Sequence, residues 1–147
     1  MHILKWDLEN LPSEEKKQEI VDFLYHNLEE YGDEKKDIYN CVQYTFNELN
    51  DKITSGFIIT AEDNQKLLGV CIVNETGMEG YIPENILVYI ATHSATRGKG
   101  IGKQIMQKVI EEANGSIALH VEAHNPAKKL YEKLGFTNKY LEMRYNK

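Results

Sequence analysis

Two hydrophobic periods run through this chain, alternation and a recurrence every three to four residues, and the switches between them mark out its elements. Residues 2–8 alternate loosely, with Ile3 inward and Lys5 outward, and predict a first strand. Pro12-Ser13-Glu14-Glu15 then predicts a helix start, because Ser13 can accept a bond from a first-turn N–H and acids suit that end of the helix dipole. The stripe Ile20, Phe23/Leu24, Leu28 and Tyr31 carries this helix to Gly32. A second helix is expected from about Glu34, with Ile38, Val42, Thr45/Phe46, Leu49 and Ile53 inward, ending near Ser55-Gly56. Its aromatics Tyr39, Tyr44 and Phe46 read as core or rim, with a share in an acceptor pocket as the other reading. Phe57–Thr60 and Leu67–Val73, joined across the polar Glu62-Asp63-Asn64-Gln65, predict a hairpin, and a loop with Gly77, Gly80 and Pro83 follows over residues 74–84.

The apolar, β-branched run Ile86–Thr92 predicts a buried strand. After it comes Arg97-Gly98-Lys99-Gly100-Ile101-Gly102-Lys103, and then a helical stripe of Ile101, Ile105, Val109 and Ala113, with Met106 and Ile110 flanking it. Asn114-Gly115 stops that helix. Ile117–Val121 predicts another strand, so the strand-helix-strand succession is a right-handed parallel crossover. Asn125-Pro126 opens a short helix bearing Ala127, Leu130, Tyr131 and Leu134, closed by Gly135, and a last strand is expected over about 139–145. The order β-α-α-β-β-β-α-β-α-β describes an α/β protein: a single domain over 1–147, a mixed β-sheet flanked by helices.

Composition narrows the class. The 147 residues suit one domain, and 41% hydrophobic with 27% charged residues is ordinary for a soluble globular protein. No apolar run approaches the ~20 residues of a membrane span, and the first residues carry no signal-peptide pattern, so a cytoplasmic protein without membrane contact is expected. Cys41 and Cys71 sit in no metal or redox spacing and read as reduced thiols, with one disulfide left open. The net charge of −6 is unevenly spread: residues 1–80 hold 7 Lys+Arg and 17 Asp+Glu, residues 81–147 hold 10 and 6. This polarity suits an anionic cofactor on one side and a cationic substrate on the other, or simply two solvated surfaces. No basic patch interleaved with aromatics is present, which argues against a nucleic-acid partner.

The glycine-rich stretch carries the chemistry. A helix start has unpaired N–H donors and the positive end of the dipole, and glycines let an anion approach the backbone. A pyrophosphate-bearing cofactor is therefore expected there. Gly98, Gly100 and Gly102 are spaced G-x-G-x-G rather than as a dinucleotide fingerprint, and the P-loop pattern fails at Arg97 and Gln104. The stretch fits R-x-x-G-x-G, and it resembles the acetyl-CoA motif of the GNAT superfamily of N-acetyltransferases. A second match lies at the usual distance: Asn125–Phe136, ending Leu130-Tyr131-Glu132-Lys133-Leu134-Gly135-Phe136, is similar to that family's C-terminal L-Y-x-x-x-G-F motif.

The resemblance implies a GNAT-like acyl-CoA N-acyltransferase fold, acetyl-CoA as co-substrate, an amine acceptor and, at the family level, a homodimer. It implies that Ile90, Ala91 and Thr92 pair through their backbone with the pantetheine arm. The N–H groups of Gly98, Lys99, Gly100, Ile101, Gly102 and Lys103 would hold the pyrophosphate, with charge from Arg97 and Lys103. Asn125 matches the family's CoA-contacting Asn counted from the strand, whereas counting back from Tyr131 puts His124 in that slot. Tyr131 matches the tyrosine that protonates the departing sulfur, and a helix-face core aromatic is its other reading.

A general base is needed as well, since a lysine-like amine is about 4.6 kcal/mol from neutral at pH 7. His120 occupies the strand position where some family members carry a catalytic Glu; Glu122, two residues on and so on the same strand face, and Glu84 are the other candidates. A water-mediated base, or none, also stays open. His120-x-Glu122-x-His124 could in principle hold a metal, but no fourth ligand is apparent and no metal is expected. The reading is an acetyl-CoA-dependent N-acetyltransferase acting on a small cationic amine or a peptide amine. Its rival is a non-catalytic acyl-CoA-binding sensor.

Overall fold

The computed structural model describes residues 1–49 and 55–147. Strands β1 (His2–Trp6), β2 (Gly56–Asp63), β3 (Lys66–Glu75), β4 (Asn85–Thr92) and β5 (Ile117–Leu119) form one mixed sheet in the order β1-β2-β3-β4-β5. The first four run antiparallel, and β5 joins β4 in parallel. The β2–β3 hairpin turns on Asn64 and Gln65, both at positive φ, 48° and 66°, which is the sign two-residue hairpin turns require.

Helices α1 (Glu14–Asn27) and α2 (Lys35–Thr45) cover one face, and α3 (Ile101–Glu112) and α4 (Ala127–Lys133) cover the other. Ile20, Leu24, Ile38 and Val42 pack on Ile58, Val70 and Ile72 from the first side; Ile105, Met106 and Val109 pack on Ile59, Cys71 and Val73 from the second. Sequence periodicity predicted the inward stripes of α1, α2 and α3, and the fold assigns each its face. Ser13 caps α1 as expected, its Oγ accepting from the Lys16 N–H at 3.0 Å. Gly69 admits α3 closely: a Cβ there would stand 2.5 Å from Ile105 Cδ1 and 3.3 Å from Ile101 Cγ2.

Three boundaries and the orientation of Lys5 depart from expectation. The first strand stops at Trp6, where Asp7 and Asn10 bridge to form a turn. Lys5 shares the Ile3 side of β1 and bonds Glu112 of α3 at 2.9 Å, so it is held against the helix layer. Helix α2 ends at Thr45, because Asn47 adopts a φ of 55° that no helix continues; Leu49 lies beyond it, and Ile53 falls outside the described residues. The last strand expected over 139–145 is not formed: among the described residues no strand pairs with the chain after Phe136, which is exposed throughout.

Candidate functional site

A β-bulge in β4 opens the site. Leu87 pairs with Val73 but Tyr89 pairs with Ile72, leaving Val88 as an extra residue. Leu87 and Tyr89, two apart, consequently face opposite helix layers: Leu87 joins the α3/α4 core and Tyr89 the α1/α2 core. Pairing with β5 covers only Asn85, Ile86 and Leu87, opposite Ile117, Ala118 and Leu119, and stops at the bulge. Beyond it β4 runs on, and among the described residues nothing pairs with its β5-facing edge.

The hydrogen-bond phase decides which backbone groups use that edge. The His93 N–H donates to Leu68 O at 2.8 Å, and in an antiparallel ladder every second residue then faces β3. Ala91 therefore spends its polar backbone groups on β3, while Ile90 and Thr92 turn theirs toward the opening. This corrects the expectation that all of Ile90, Ala91 and Thr92 could pair with an added arm.

The glycine-rich turn lies at the end of this edge. Gly98 and Gly100 have φ of 81° and 82°, and a Cβ on either would meet nothing within 4 Å, so the turn is both left-handed and open to an approaching group. The first bond of α3 runs from the Gln104 N–H to Gly100 O at 3.1 Å. Among the described residues the N–H groups of Gly98, Gly100, Ile101, Gly102 and Lys103 thus have no backbone acceptor, and Lys99 instead donates to Thr96 O at 3.2 Å. Lys99 and Lys103 are exposed. The Arg97 side chain bends back to the end of α1, donating to Glu29 Oε1 and to Asn27 O, each at 3.2 Å. Glu29, itself at φ 55°, opens a 3-10 turn over Glu29–Tyr31. Sequence reasoning did not foresee this tie, because nothing local links positions so far apart.

Helix α4 packs under the opening. Asn125 Oδ1 accepts from the Ala127 N–H at 2.9 Å, the capping role its sequence context predicted. Leu130 lies against Gly102, since a Cβ there would sit 3.6 Å from Leu130 Cδ2. Tyr131 is buried, at 6% exposure, in the α3/α4 core beside Phe136, ring centroids 5.9 Å apart. Burial first, and the Cys71 thiol second, push its phenol well above the usual tyrosine range. Tyr131 shares the α3/α4-side core with Cys71 and Ile90, which pair across β3 and β4. Its hydroxyl finds no hydrogen-bond partner among the described residues, and it is not sealed from solvent.

The base candidates are placed differently from expectation. β5 ends at Leu119, and residues 120–126 are irregular, closed by an Asn125 N–H to Glu122 O bond of 2.9 Å. His120 and Glu122 therefore do not share a strand face; both are exposed. The Glu122 carboxylate instead faces His124 Nε2 at 3.5 Å, and the His124 ring lies 5.7 Å from that of Tyr31. Glu84 has its carboxylate spoken for: Oε1 accepts from the Ser116 N–H at 2.8 Å and Oε2 from the Gly80 N–H at 3.1 Å. These bonds hold its pKa below the usual range and place it at the other end of β4 from the glycine turn. Among the described residues no group of three His, Cys, Asp or Glu side chains is gathered that could hold a metal, and no helix is long and apolar enough to cross a membrane. The aromatics of α2 are structural: Phe46 is buried, Tyr39 packs against the core, and Tyr44 donates to Glu75 O at 2.5 Å.

The split of β4 from β5, the N–H groups of the glycine turn and the buried Tyr131 are the features of this region. The family profile of the acetyltransferase (GNAT) domain matches residues 54–138, and the chain belongs to that family. Solved structures agree on the fold. An aminoglycoside antibiotic 6'-N-acetyltransferase from Acinetobacter haemolyticus superposes with a TM-score of 0.70 at 14% identity, covering 100% of this chain and 98% of that one. A ribosomal-protein-alanine N-acetyltransferase from Brucella melitensis biovar Abortus 2308 gives 0.66 at 17%, covering 99% of each chain. A transcriptional regulator from Bacillus halodurans C-125 gives 0.64 at 21%, again covering 99% of each. No curated protein sequence gives a significant match.

Proposed function

We propose that this chain transfers the acetyl group of acetyl-CoA to a primary amine by direct attack, with Tyr131 as the acid that protonates the departing CoA sulfur. The observation that carries this reading is Tyr131, a buried side chain in the α3/α4 core whose hydroxyl reaches solvent and meets no hydrogen-bond partner among the described residues. Membership of the GNAT family supports acetyl-CoA as the donor. Ile90 and Thr92 offer backbone groups to the pantetheine arm, and the free N–H groups from Gly98 to Lys103 offer donors to the pyrophosphate. In the transfer an N–C bond forms as the C–S bond breaks, and Tyr131 gives its proton to sulfur. A phenol whose pKa is raised holds that proton at neutral pH, so it works by donating along a hydrogen bond formed as negative charge gathers on the sulfur.

The amine must lose a proton, and His120 and Glu122 on the irregular segment after β5 are the groups assigned to accept it through water. The acceptor is assigned to the small cationic amines or peptide amines. The acidic first half of the chain supports this, as do two structural neighbours that are N-acetyltransferases by description. A thiol-release assay over polyamines, aminoglycosides and lysine peptides tests the proposal. Turnover on at least one amine, falling by about 10²–10⁴ in Tyr131→Phe, is expected; unchanged turnover in that variant removes Tyr131 as the acid.

One observation favours a second reading. Among the described residues no buried base accompanies Tyr131, and a structural neighbour is described as a transcriptional regulator, so an acyl-CoA sensor would also use this region. Tight acetyl-CoA binding without thiol release on any amine would select it.

A further inference from the structure

The segment that closes α1 is tied to three separated parts of the fold. The Arg97 guanidinium donates to Asn27 O and to Glu29 Oε1, each at 3.2 Å. The Tyr31 ring lies 5.7 Å from that of His124, and Asp33 Oδ2 accepts from the Tyr89 hydroxyl at 2.6 Å. Residues 27–33 thereby strap the glycine turn to both chains that part at the bulge, β4 through Tyr89 and the segment after β5 through His124. Glu29 takes a φ of 55°, a conformation that a Cβ penalises and that persists only where its surroundings impose it. Arg97 holds both the backbone just before Glu29 and the Glu29 side chain, so it supplies part of that constraint. The pair is exposed, 46% at Arg97 and 57% at Glu29, and the guanidinium can therefore change partners without uncovering a buried charge.

We propose, resting on the acetyl-CoA reading above, that Arg97 is a latch between the glycine turn and this strap: the pyrophosphate of the cofactor draws the guanidinium off Glu29 and Asn27, and the strap is released. A pyrophosphate carries more negative charge than Glu29 and accepts both arms of the guanidinium fork. Arg97 also directly precedes the turn whose N–H groups, at Gly98 and from Gly100 to Lys103, have no backbone acceptor among the described residues. Once its carboxylate is unpaired, Glu29 can leave the left-handed conformation. The bonds that close the strap, from the Tyr31 N–H to Leu28 O at 3.0 Å and from the Gly32 N–H to Glu29 O at 3.4 Å, then loosen with it. Linkage makes the effect reciprocal: the cofactor loosens the strap by the same factor that the latch subtracts from cofactor affinity. Tyr31 and Asp33 carry the change to His124 and Tyr89, so occupancy of the glycine turn is felt on both sides of the parting.

Hydrogen exchange of the full chain, with and without saturating CoA, reads the latch at the Tyr31 and Gly32 amides. CoA is expected to speed exchange there by about 3–10-fold, the scale of one exposed ion pair and one charged hydrogen bond. Arg97→Gln is expected to show the fast rate without CoA, and no further change once calorimetry shows CoA bound. The Ile20 and Leu24 amides, in the body of α1, should keep their rates throughout, which separates release of the strap from a general loss of stability. Bound CoA with unchanged or slower exchange at Tyr31 and Gly32 overturns the latch and leaves acetyl-CoA as the donor. A CoA-driven increase that persists in Arg97→Gln assigns the release to another contact and overturns the latch equally. Failure of CoA to bind the unaltered chain removes the latch and the proposed function together.

Discussion

Gly98, Gly100 and Gly102 stand two apart but do different things. At φ 82° with open space beyond, Gly100 supplies a conformation that a Cβ penalises. Gly100→Ala should lose about 1–2 kcal/mol of stability together with acetyl-CoA affinity. Gly102 sits in the first turn of α3 with only ordinary contacts around it, so Gly102→Ala should keep or slightly raise stability. Any loss of affinity it causes then reports the close approach of a ligand. Urea melts and calorimetric titration of both variants separate strain from contact; equal destabilisation in the two would remove the distinction. Arg97 supplies a second test at this scale. Its guanidinium is shared with Glu29 in an exposed pair, the kind that contributes ~0–1 kcal/mol. Glu29→Gln should leave stability nearly unchanged and free the cation for an anionic ligand. Acetyl-CoA affinity is then expected to rise by roughly 2–5-fold at low salt, an effect that screening abolishes. Weaker binding would instead make Glu29 the residue that holds Arg97 in place for the ligand.

Among the elements, the glycine turn and the helix behind it depend on α3 lying flat on β3 at Gly69. Gly69→Ala drives a methyl against Ile105 and Ile101. It should cost about 1–3 kcal/mol and weaken acetyl-CoA binding, because Ile101 belongs to the turn that would hold the pyrophosphate. A variant that melts early yet binds normally would break that link. These contacts explain what the sequence could and could not disclose. The strand before the turn, the stripe of α3 and the Asn125-Pro126 start of α4 are local patterns, and each is legible within a dozen residues. The bulge at Val88 is not, since an apolar run such as Ile86–Thr92 reads the same with or without an extra residue, and only pairing with β3 exposes it. The short β5 followed from the same blindness, because β4 diverges from it after Leu87, and with the strand went the shared face assigned to His120 and Glu122. The tail carries strand patterning without a strand, since patterning states what a segment would bury and not whether its partner lies in the same chain. Arg97 was found as a motif residue, while its Glu29 partner came only from the fold.

For the whole molecule, the buried and clamped ionisable groups set a pH window of stability. On the alkaline side burial raises Cys41 from 9.0 to about 12 and raises Cys71 beyond that. Burial likewise lifts Tyr89 and Tyr131 above 10.0, Tyr89 while it donates to Asp33 Oδ2 at 2.6 Å. In each case the folded value exceeds the unfolded one, so the contribution to stability is whole below about pH 9 and is lost as pH rises through the folded values. On the acid side two backbone N–H groups hold Glu84 below 4.5, and Lys108 and Lys5 do the same for Glu112. Their contribution is present above pH 4.5 and is lost as pH falls through the depressed values. Urea midpoints measured from pH 3 to 11 should therefore form a plateau between about pH 5 and 9, falling on both sides. Each limb can be assigned. Glu84→Gln should lower the plateau and flatten the acid limb, because the amide keeps one acceptor and cannot titrate. Cys71→Ala should leave the acid limb alone and make the alkaline fall shallower, because one unfolded-state thiolate no longer pulls the equilibrium. An alkaline limb of unchanged slope in Cys71→Ala would mean that this thiol already ionises freely in the folded protein, against its complete burial between β2, β4 and α3.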